Sequence, residues 1–519
     1  MRMEKGERIG QESDHTPYNE NVRRRSRRLT PGVIGVCLVM IAASSLALTL
    51  VPGARASPTP FNSTFVKVPC GGNIQNAING APSGGTIVLA PCTFVQQLTI
   101  DKSVNIVGAG AGKTIIQSPA VVTPDLLGNP WTIELGSGAV VAISGVTVLV
   151  TPQCIIGPAP ESVYLYAGGG IGVGGSAYLN LQSAVVTTTG GVEGAACGGP
   201  SPTTAGILSY GDGIAFGLDY VVGSPPASAL LGSGQVSGVS VSGFGFSGEA
   251  IGIGGHVDSP AGSSALISFD HLSISSDAPG YYSLVDVGGS SQPCSATVVY
   301  DVLSGSSGLG VNLVTVAPGS SAYVAYNSMS VGLLGIGVFV YGSSVTVLHN
   351  SIIGPTTTNG VVGVLVYPGG TATISYNIIG QFECAYNATM AAAGLCGPDY
   401  ATQFEAAGIG IVASGTVVAT HNVIFNSDGG VEADAGCSPN CVVQDNVIMN
   451  SYDWGLAGID GSYSFGPNVI IGGAYGVGAI AYSVDTTVTL SHVVMVGQTV
   501  APDYYEIDFG GGTATVVGT

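Results

Sequence analysis

The chain has 519 residues, of which 82 are glycine, 45% are hydrophobic and only 8% are charged. After residue 57 it carries 26 acidic and 3 basic residues, a formal charge of −23, and residues 114 to 519 contain no lysine or arginine. Such a charge repels nucleic acid and anionic lipid, so neither is expected as a partner.

The N-terminus combines a basic region with an apolar stretch at residues 33–51. A Pro-Gly pair and then Ala54, Arg55 and Ala56 follow, as at a signal-peptide cleavage site. The stretch is also long enough to stay as an uncleaved anchor, which would be the chain's contact with a membrane. The predicted parts are a basic region, a signal peptide or anchor, a linker and an exported body: residues 1–28, 29–56, 57–69 and 70–519.

Nine of the ten cysteines lie in the exported part, which suits an oxidising compartment. Proximity in sequence predicts four disulfides and leaves Cys294 unpaired. A zinc site is not expected, because the chain has no C-x-x-C pair and no histidine at ligand spacing from a cysteine. The predicted pairs are Cys70 with Cys92, Cys154 with Cys197, Cys384 with Cys396, and Cys437 with Cys441.

The body begins with a helical pattern and continues with strand patterns. Ile74, Ala77, Ile78 and Ala81 have the spacing of one helix face, and three runs with strand periodicity follow up to residue 118. No later segment offers ten residues of helical periodicity. We therefore expect a short helix that covers the open end of a β-structure.

One ten-residue phrase, apolar alternation that runs into an Asn, recurs through the second half of the chain. Asp270 and Asp301 hold the equivalent place in two earlier copies, and His492 in a later one; from Asp270 the steps are 31, 26, 23, 27, 45 and 24 residues. The step of 45 is either two turns or one turn with a large loop. The recurring residues are Asn327, Asn350, Asn377, Asn422 and Asn446.

Short strands at this period predict a solenoid with three strands per turn. At a strand spacing of about 4.8 Å, roughly 15 turns would make a rod on the order of 70 Å long. An Asn that accepts a left-handed backbone suits a two-residue corner, and stacked Asn side chains can bond to one another as a ladder. Glycine is expected at the tighter corners.

The segment "IQNAINGAPSGGTIVLAPCTFVQQLTIDKSVNIVGAGAGKTII" (74–116) resembles the start of right-handed parallel β-helix proteins of the pectate-lyase-like superfamily. The resemblance covers about residues 70–519 and implies an all-β, right-handed parallel β-helix with a short N-terminal capping helix. It implies no single activity, because that superfamily includes lyases, hydrolases, esterases, epimerases and non-enzymatic surface proteins.

The resemblance disfavours three activities. Lyases of that superfamily use an Arg or Lys base, its pectin esterases need an Arg, and its polygalacturonases need an R-I-K triplet, none of which residues 114–519 can supply. A glycoside hydrolase needs only two carboxylates. The candidate acids are Asp428, Glu432, Asp434 and Asp445, with a solvated, disulfide-tied loop as the alternative. No cofactor is expected; calcium is the one ion that this segment could hold, although it lacks EF-hand spacing.

The residue before each corner Asn is usually aromatic. A row of such rings could stack against sugar rings, or the rings could stack on one another and stabilise the coil. The candidates are Tyr300, Tyr326, His349, Tyr376 and His421, with Asp445 next in register.

The missing bases and the sparse charge favour an exported surface protein without catalytic activity, whose rod presents a carbohydrate-contacting or self-associating face. A glycoside hydrolase that uses the paired carboxylates is the alternative. The expected partner is a polysaccharide or other glycan. The excess of acids also suggests an acidic habitat, in which protonation would reduce self-repulsion.

Overall fold

The computed structural model describes residues 65–122, 131–151, 169–188, 212–217, 232–242, 249–254, 262–274, 282–288, 293–305, 310–332, 335–355, 362–382, 408–451, 454–499, 504–508 and 512–518. The predicted signal or anchor and the cysteines 154, 197, 384 and 396 lie outside them. No helix among the described residues is long and apolar enough to cross a membrane.

The described chain is a right-handed parallel β-helix, as predicted. Every described strand pairs in parallel with its equivalent one coil away, and the strands form three sheets of 16, 14 and 14 strands. Each coil runs from sheet A to sheet B to sheet C and back to sheet A.

Sheet A comprises Phe65–Val68, Gly85–Leu89, Val104–Val107, Val140–Ser144, Ala177–Gln182, Gly232–Ser237, Ser264–Ser268, Ser295–Val299, Ser321–Ala325, Ser344–Leu348, Thr371–Ser375, Thr416–Thr420, Val442–Gln444, Ser462–Phe465, Thr486–Leu490 and Ala514–Gly518. Sheet B comprises Thr93–Val95, Ile115–Gln117, Thr147–Val150, Val185–Thr188, Ser240–Ser242, His271–Ser273, Val302–Ser304, Ser328–Ser330, Ser351–Ile353, Ile378–Gly380, Val423–Phe425, Val447–Met449, Asn468–Ile471 and Val493–Val496. Sheet C comprises Leu98–Ile100, Trp131–Leu135, Gly169–Val173, Ile214–Phe216, Ile251–Ile253, Tyr282–Val287, Val311–Val316, Ile336–Val340, Val362–Val366, Ile409–Ala413, Gly429–Ala433, Trp454–Ile459, Tyr475–Ala481 and Tyr504–Asp508.

The interior is a continuous column of aliphatic side chains. Strand residues alternate between this core and the outside, as in Ser344–Leu348, where Val345 and Val347 are buried and their neighbours are not. β-Branched side chains suit such a pleated, half-buried surface. Burial of the column supplies the hydrophobic stabilisation that holds the three sheets together.

The predicted capping helix, α1, spans Ile74–Gly80. Asn73 caps its N-terminus by accepting a hydrogen bond from the Asn76 N–H at 2.7 Å. Ile74 and Ile78 are fully buried against the first coil. The Gln75 side chain bonds both the N–H and the C=O of Thr99 at 2.9 Å, so it satisfies backbone groups of the first sheet C strand.

The folded body begins earlier than expected. Phe65–Val68 lies within the predicted linker of residues 57–69, yet it pairs in register with Gly85–Leu89. Its alternation of Phe65, Val66 and Val68 around a single lysine is a strand pattern too short to stand out in sequence.

The step of 45 residues is one turn. Thr371–Ser375 pairs directly with Thr416–Thr420, and Ile378–Gly380 pairs directly with Val423–Phe425. The extra length therefore lies between Gly380 and Ile409, where the chain passes from sheet B to sheet C.

Candidate functional site

Each corner between sheets A and B contains two residues, of which the first points outward and the second points into the interior. In the coil that begins at Ser321, Tyr326 and Asn327 separate the two strands; Tyr326 is 44% exposed and Asn327 is 2% exposed. The left-handed backbone belongs to Tyr326, with φ 60°, and not to the Asn as expected. The reason is that the corner must turn the Asn side chain inward, where its amide is bonded, and this leaves the preceding residue outside.

The predicted Asn side chains do stack as a hydrogen-bonded ladder inside the corner. Each Nδ2 donates to the Oδ1 of the next Asn at 3.0 to 3.1 Å, and also to a backbone carbonyl of the preceding coil at 2.8 to 2.9 Å. Each backbone N–H also donates to the Oδ1 above it. Every buried amide group in the ladder therefore has a partner.

The ladder is longer than the five predicted Asn residues, in part because Asp270 and Asp301 join it from their equivalent places in the repeat. Asn468 continues it beyond Asn446, and Asp301 and Asp270 extend it at the other end. Asn468 follows a proline and not an aromatic residue, so it was not predicted, although "NVII" repeats the Asn and apolar residues of the other copies. The expected equivalence of His492 with the ladder residues is wrong by one position: Val493 pairs with Asn468, so His492 lies in register with Pro467 and is exposed.

The residues outside these corners form an aromatic row. Phe269, Tyr300, Tyr326, His349, Tyr376 and His421 stack in that order, with ring centroids 4.8 to 5.1 Å apart and interplanar angles of 7° to 22°. Asp445 follows His421 in register and is exposed. Partial burial lowers the pKa of His349, so this ring is neutral near pH 7.

The rings of the row stack on one another, which was the structural alternative to sugar stacking. Both faces of each internal ring are covered by its neighbours, so these rings offer edges and hydroxyl groups to the outside. Phe269 is different. Its corner neighbour on the far side is Gly238, which has no side chain, and Phe269 is 65% exposed. The sequence pattern that identifies the other rings, an aromatic residue directly before a corner Asn or Asp, also identifies Phe269, which directly precedes Asp270.

Of the four candidate acids, the structure brings Glu432 and Asp434 together. Glu432 faces outward from the sheet C strand Gly429–Ala433 and is 8% exposed. Burial, and then the charge of Asp434, raises the pKa of Glu432 to about 8. Burial also raises the pKa of Asp434, against a hydrogen bond of 2.8 Å from the Ser414 hydroxyl.

Asp428 and Asp445 lie elsewhere. Asp428 lies just before the strand Gly429–Ala433 and Asp434 lies just after it, so the two are separated by roughly 20 Å of extended chain. The Asp428 carboxylate lies against Gly408. Asp445 lies at the corner between sheets A and B, in register with the aromatic row.

Asp460, which follows the acidic patch in sequence, and two tyrosines that the sequence did not single out, Tyr463 and Tyr482, lie close to the Glu432–Asp434 pair. Burial opposes ionisation of Asp460, but four hydrogen bonds from Ser483, Tyr482 and Val484 outweigh it and lower its pKa. Burial, and then the charges of Glu432, Asp460 and Asp434, raises the pKa of Tyr482. The hydroxyl of Tyr463 donates a hydrogen bond to the Ile459 carbonyl. Among the described residues, no group of three or more His, Cys, Asp or Glu is arranged to hold a metal ion.

The described cysteines bond as the spacing suggests. Cys70 is joined to Cys92 beside the capping helix, and Cys437 to Cys441 after Asp434. Cys294 is buried and is the free cysteine among the residues that the structure describes. The other two predicted pairs fall outside those residues.

The outer face of sheet B is apolar toward its C-terminal end. Exposed aliphatic side chains, between 36% and 55% exposed, lie there in two successive coils: Val469, Ile471, Val494 and Val496. Exposed apolar surface can mark an interaction site. Self-association stays a prediction, and this is the face to which it would map.

No family model matches the chain, and no curated protein matches it. Several solved structures are similar. The Dettilon tailspike protein is 10% identical with a TM-score of 0.40, and the match covers 69% of this chain and 59% of that one. A mannuronic acid-specific family 6 polysaccharide lyase from human gut microbiota is 8% identical with a TM-score of 0.37, covering 86% and 91%. The catalytic domain of a GH87 α-1,3-glucanase, in complex with nigerose, is 11% identical with a TM-score of 0.28, covering 88% and 70%. The fold rests on the three parallel sheets and not on these likenesses.

Proposed function

We propose that the chain is an exported surface protein without catalytic activity that binds an uncharged glycan along the aromatic row. The observation that carries this proposal is the row itself, which presents one aromatic position per coil on an exposed corner. The solved structures similar to this chain include proteins whose names describe action on polysaccharides, and this agrees with a glycan partner.

Each part of the row would make a different contact. The hydroxyl groups of Tyr300, Tyr326 and Tyr376 would bond to sugar hydroxyls along the chain direction. The open face of Phe269 over Gly238 would receive the apolar face of one pyranose ring, because such faces stack on aromatic rings. A formal charge of −23 after residue 57 repels uronate and sulfated polymers, so the glycan is expected to be neutral.

A glycan array with neutral and acidic polymers tests this proposal. We expect binding to neutral polymers that is weakened at least several-fold by Phe269→Ala. Gly238→Tyr should have the same effect, because Gly238 has φ 63°, as Tyr300 does, and a tyrosine there would cover Phe269. Tyr178→Ala removes an exposed tyrosine outside the row and is the control. Binding that is confined to acidic polymers, or that none of the row variants alters, would contradict the proposal.

A glycoside hydrolase is the second candidate. It is favoured by Glu432, whose raised pKa keeps it a neutral acid beside Asp434, as a general acid requires. The same array, scored for new reducing ends, tests it. Release that is abolished by Glu432→Gln and retained by Asp445→Asn would establish a hydrolase and replace the leading proposal. If no polymer is cleaved, this candidate fails.

A further inference from the structure

The asparagine ladder contains two carboxylic residues where every other described member has an amide. The Asp270 N–H donates to Asp301 Oδ1 at 2.8 Å, and the Asp301 N–H donates to Asn327 Oδ1 at 2.8 Å. Asp270 is 2% exposed and Asp301 is fully buried. Both therefore accept hydrogen bonds as the Asn residues do, but an ionised carboxylate has no Nδ2 with which to donate.

The missing donor leaves a defect at Asp301. In the next coil, Asn327 Nδ2 donates to the Val298 carbonyl at 2.8 Å and to Asn350 Oδ1 at 3.0 Å. Ile267 pairs with Val298 in sheet A, so the equivalent acceptors for residue 301 are the Ile267 carbonyl and Asn327 Oδ1. Asp301 Oδ2 holds the Nδ2 position and has no partner within hydrogen-bond geometry among the described residues, although the nearby Val299 N–H lowers the pKa of this carboxyl. An ionised Asp301 side chain therefore donates nothing to the Ile267 carbonyl or to Asn327 Oδ1, as the Asn amides do in the later coils.

No cation offsets this defect, because residues 114–519 contain no lysine or arginine. The titratable side chains described on the coils next to Asp301 are Asp270 and Asp286, the buried Cys294, the exposed rings of Tyr300, Tyr323 and Tyr326, and the exposed His271. Only Asp270 lies inside the corner with it. A second carboxylate makes ionisation of the first less favourable.

We propose that Asp301 carries a proton on Oδ2 in the folded protein and donates it within the ladder, so that a ladder hydrogen bond is present in acid and lost when the proton is lost. A protonated carboxyl has the shape of the amide and supplies one of the two donors that an amide has at this position. Asp270, directly below, accepts from the N–H groups of Val239 and Ser268 at 2.6 and 3.0 Å, which makes it the partner better suited to carry a charge.

Electrostatics agree with this assignment. Burial, and also the charge of Asp270, raises the pKa of Asp301 to about 8, and burial raises the pKa of Asp270 to about 7. The ordinary value for an aspartate is about 4. Because the folded pKa exceeds the unfolded one, the folded state binds more protons between these values. The contribution of these two carboxyl groups to the free energy of unfolding is therefore full below about pH 4 and is lost as the pH rises toward about 8.

Unfolding of the full chain at about pH 4 and at about pH 9 tests the proposal. Asp301→Asn supplies a permanent donor, so we expect its melting temperature to exceed that of the unchanged chain by several degrees at the higher pH and to match it at the lower one. Asn350→Asp is the matched control, because it places a new carboxyl in the same ladder. It should melt lower at high pH and recover in acid. If Asp301→Asn shifts melting equally at both values, or not at all, the proposal is wrong.

Infrared spectroscopy gives a second readout that does not depend on stability. A protonated carboxyl has its own C=O stretch, distinct from that of a carboxylate. At about pH 6 the difference spectrum between the chain and Asp301→Asn should contain this band. A difference spectrum with only the carboxylate bands would mean that Asp301 is ionised in the folded protein and would overturn the proposal.

Discussion

Seven successive corner residues share a backbone conformation that is unusual for residues other than glycine. From Phe269 to Asp445 the φ angles lie between 54° and 63°. A left-handed backbone costs a residue with a side chain about 1–2 kcal/mol. Each aromatic pair contributes about 0.5–1.5 kcal/mol beyond its buried area, so stacking in the row offsets much of this cost. The row is thus consistent with a structural role as well as a binding one.

Removal of one ladder amide should have a large effect. Asn350 accepts from the N–H and the Nδ2 of Asn327, and donates to the Val324 carbonyl and to Asn377. Asn350→Ala would leave these buried groups with fewer partners, so we expect a loss of about 2–4 kcal/mol in the free energy of unfolding, measured with urea. Gln182→Ala breaks an exposed amide–amide bond and should change little. Equal losses in the two variants would show that burial does not decide the effect.

Glycine is needed within the strands of sheet C, whereas the sequence predicts it only at corners. In sheet C, a Cβ on Gly363 would lie 2.5 Å from the Gly410 carbonyl oxygen, and a Cβ on Gly430 would lie 2.3 Å from that of Gly455. These glycines stack in successive coils, facing the core, and permit the close approach of neighbouring backbones. The "GIG" and "GVG" phrases therefore belong to the sheet itself. Spacing shows that they repeat but not what they contact.

The capping helix is held at its C-terminus by one lysine. Lys102 Nζ donates to the Asn79 carbonyl at 2.7 Å and to the Ala81 carbonyl at 2.8 Å, where a cation also complements the helix dipole. We expect Lys102→Met to cost about 1 kcal/mol and to speed hydrogen exchange in Leu98–Ile100, which the helix covers. Lys113→Met removes an exposed lysine from the next coil and is the control. Unchanged exchange in Lys102→Met would mean that the helix is held without the lysine.

The whole molecule follows from a repeat that the sequence displays, and the site follows from it only in part. The period, the buried Asn position and the capping helix are all visible in the spacing of apolar residues and of Asn327 to Asn446. The pairing of Glu432 with Asp434 is also local. The register between coils brings Glu432 and Asp434 close to Asp460 and Tyr482. One face of Phe269 is uncovered because Gly238, in the coil below, has no side chain. Such contacts between coils have no signature within a single repeat.

Net charge should make the stability of the whole molecule depend on salt. Twenty-six acids face three bases after residue 57, so near pH 7.5 most carboxylates repel one another and few are paired. The screening length falls from about 30 Å at 0.01 M salt to about 8 Å at 0.15 M, which weakens the repulsion between coils. We therefore expect sodium chloride to raise the melting temperature at about pH 7.5 over this range, and to raise it less at about pH 4, where many carboxylates are protonated. The comparison of the two pH values is the control, because any effect of salt on apolar burial would appear at both. A melting temperature that falls with salt at the higher pH would mean that attractive ion pairs, and not repulsion, dominate the electrostatics of the folded chain.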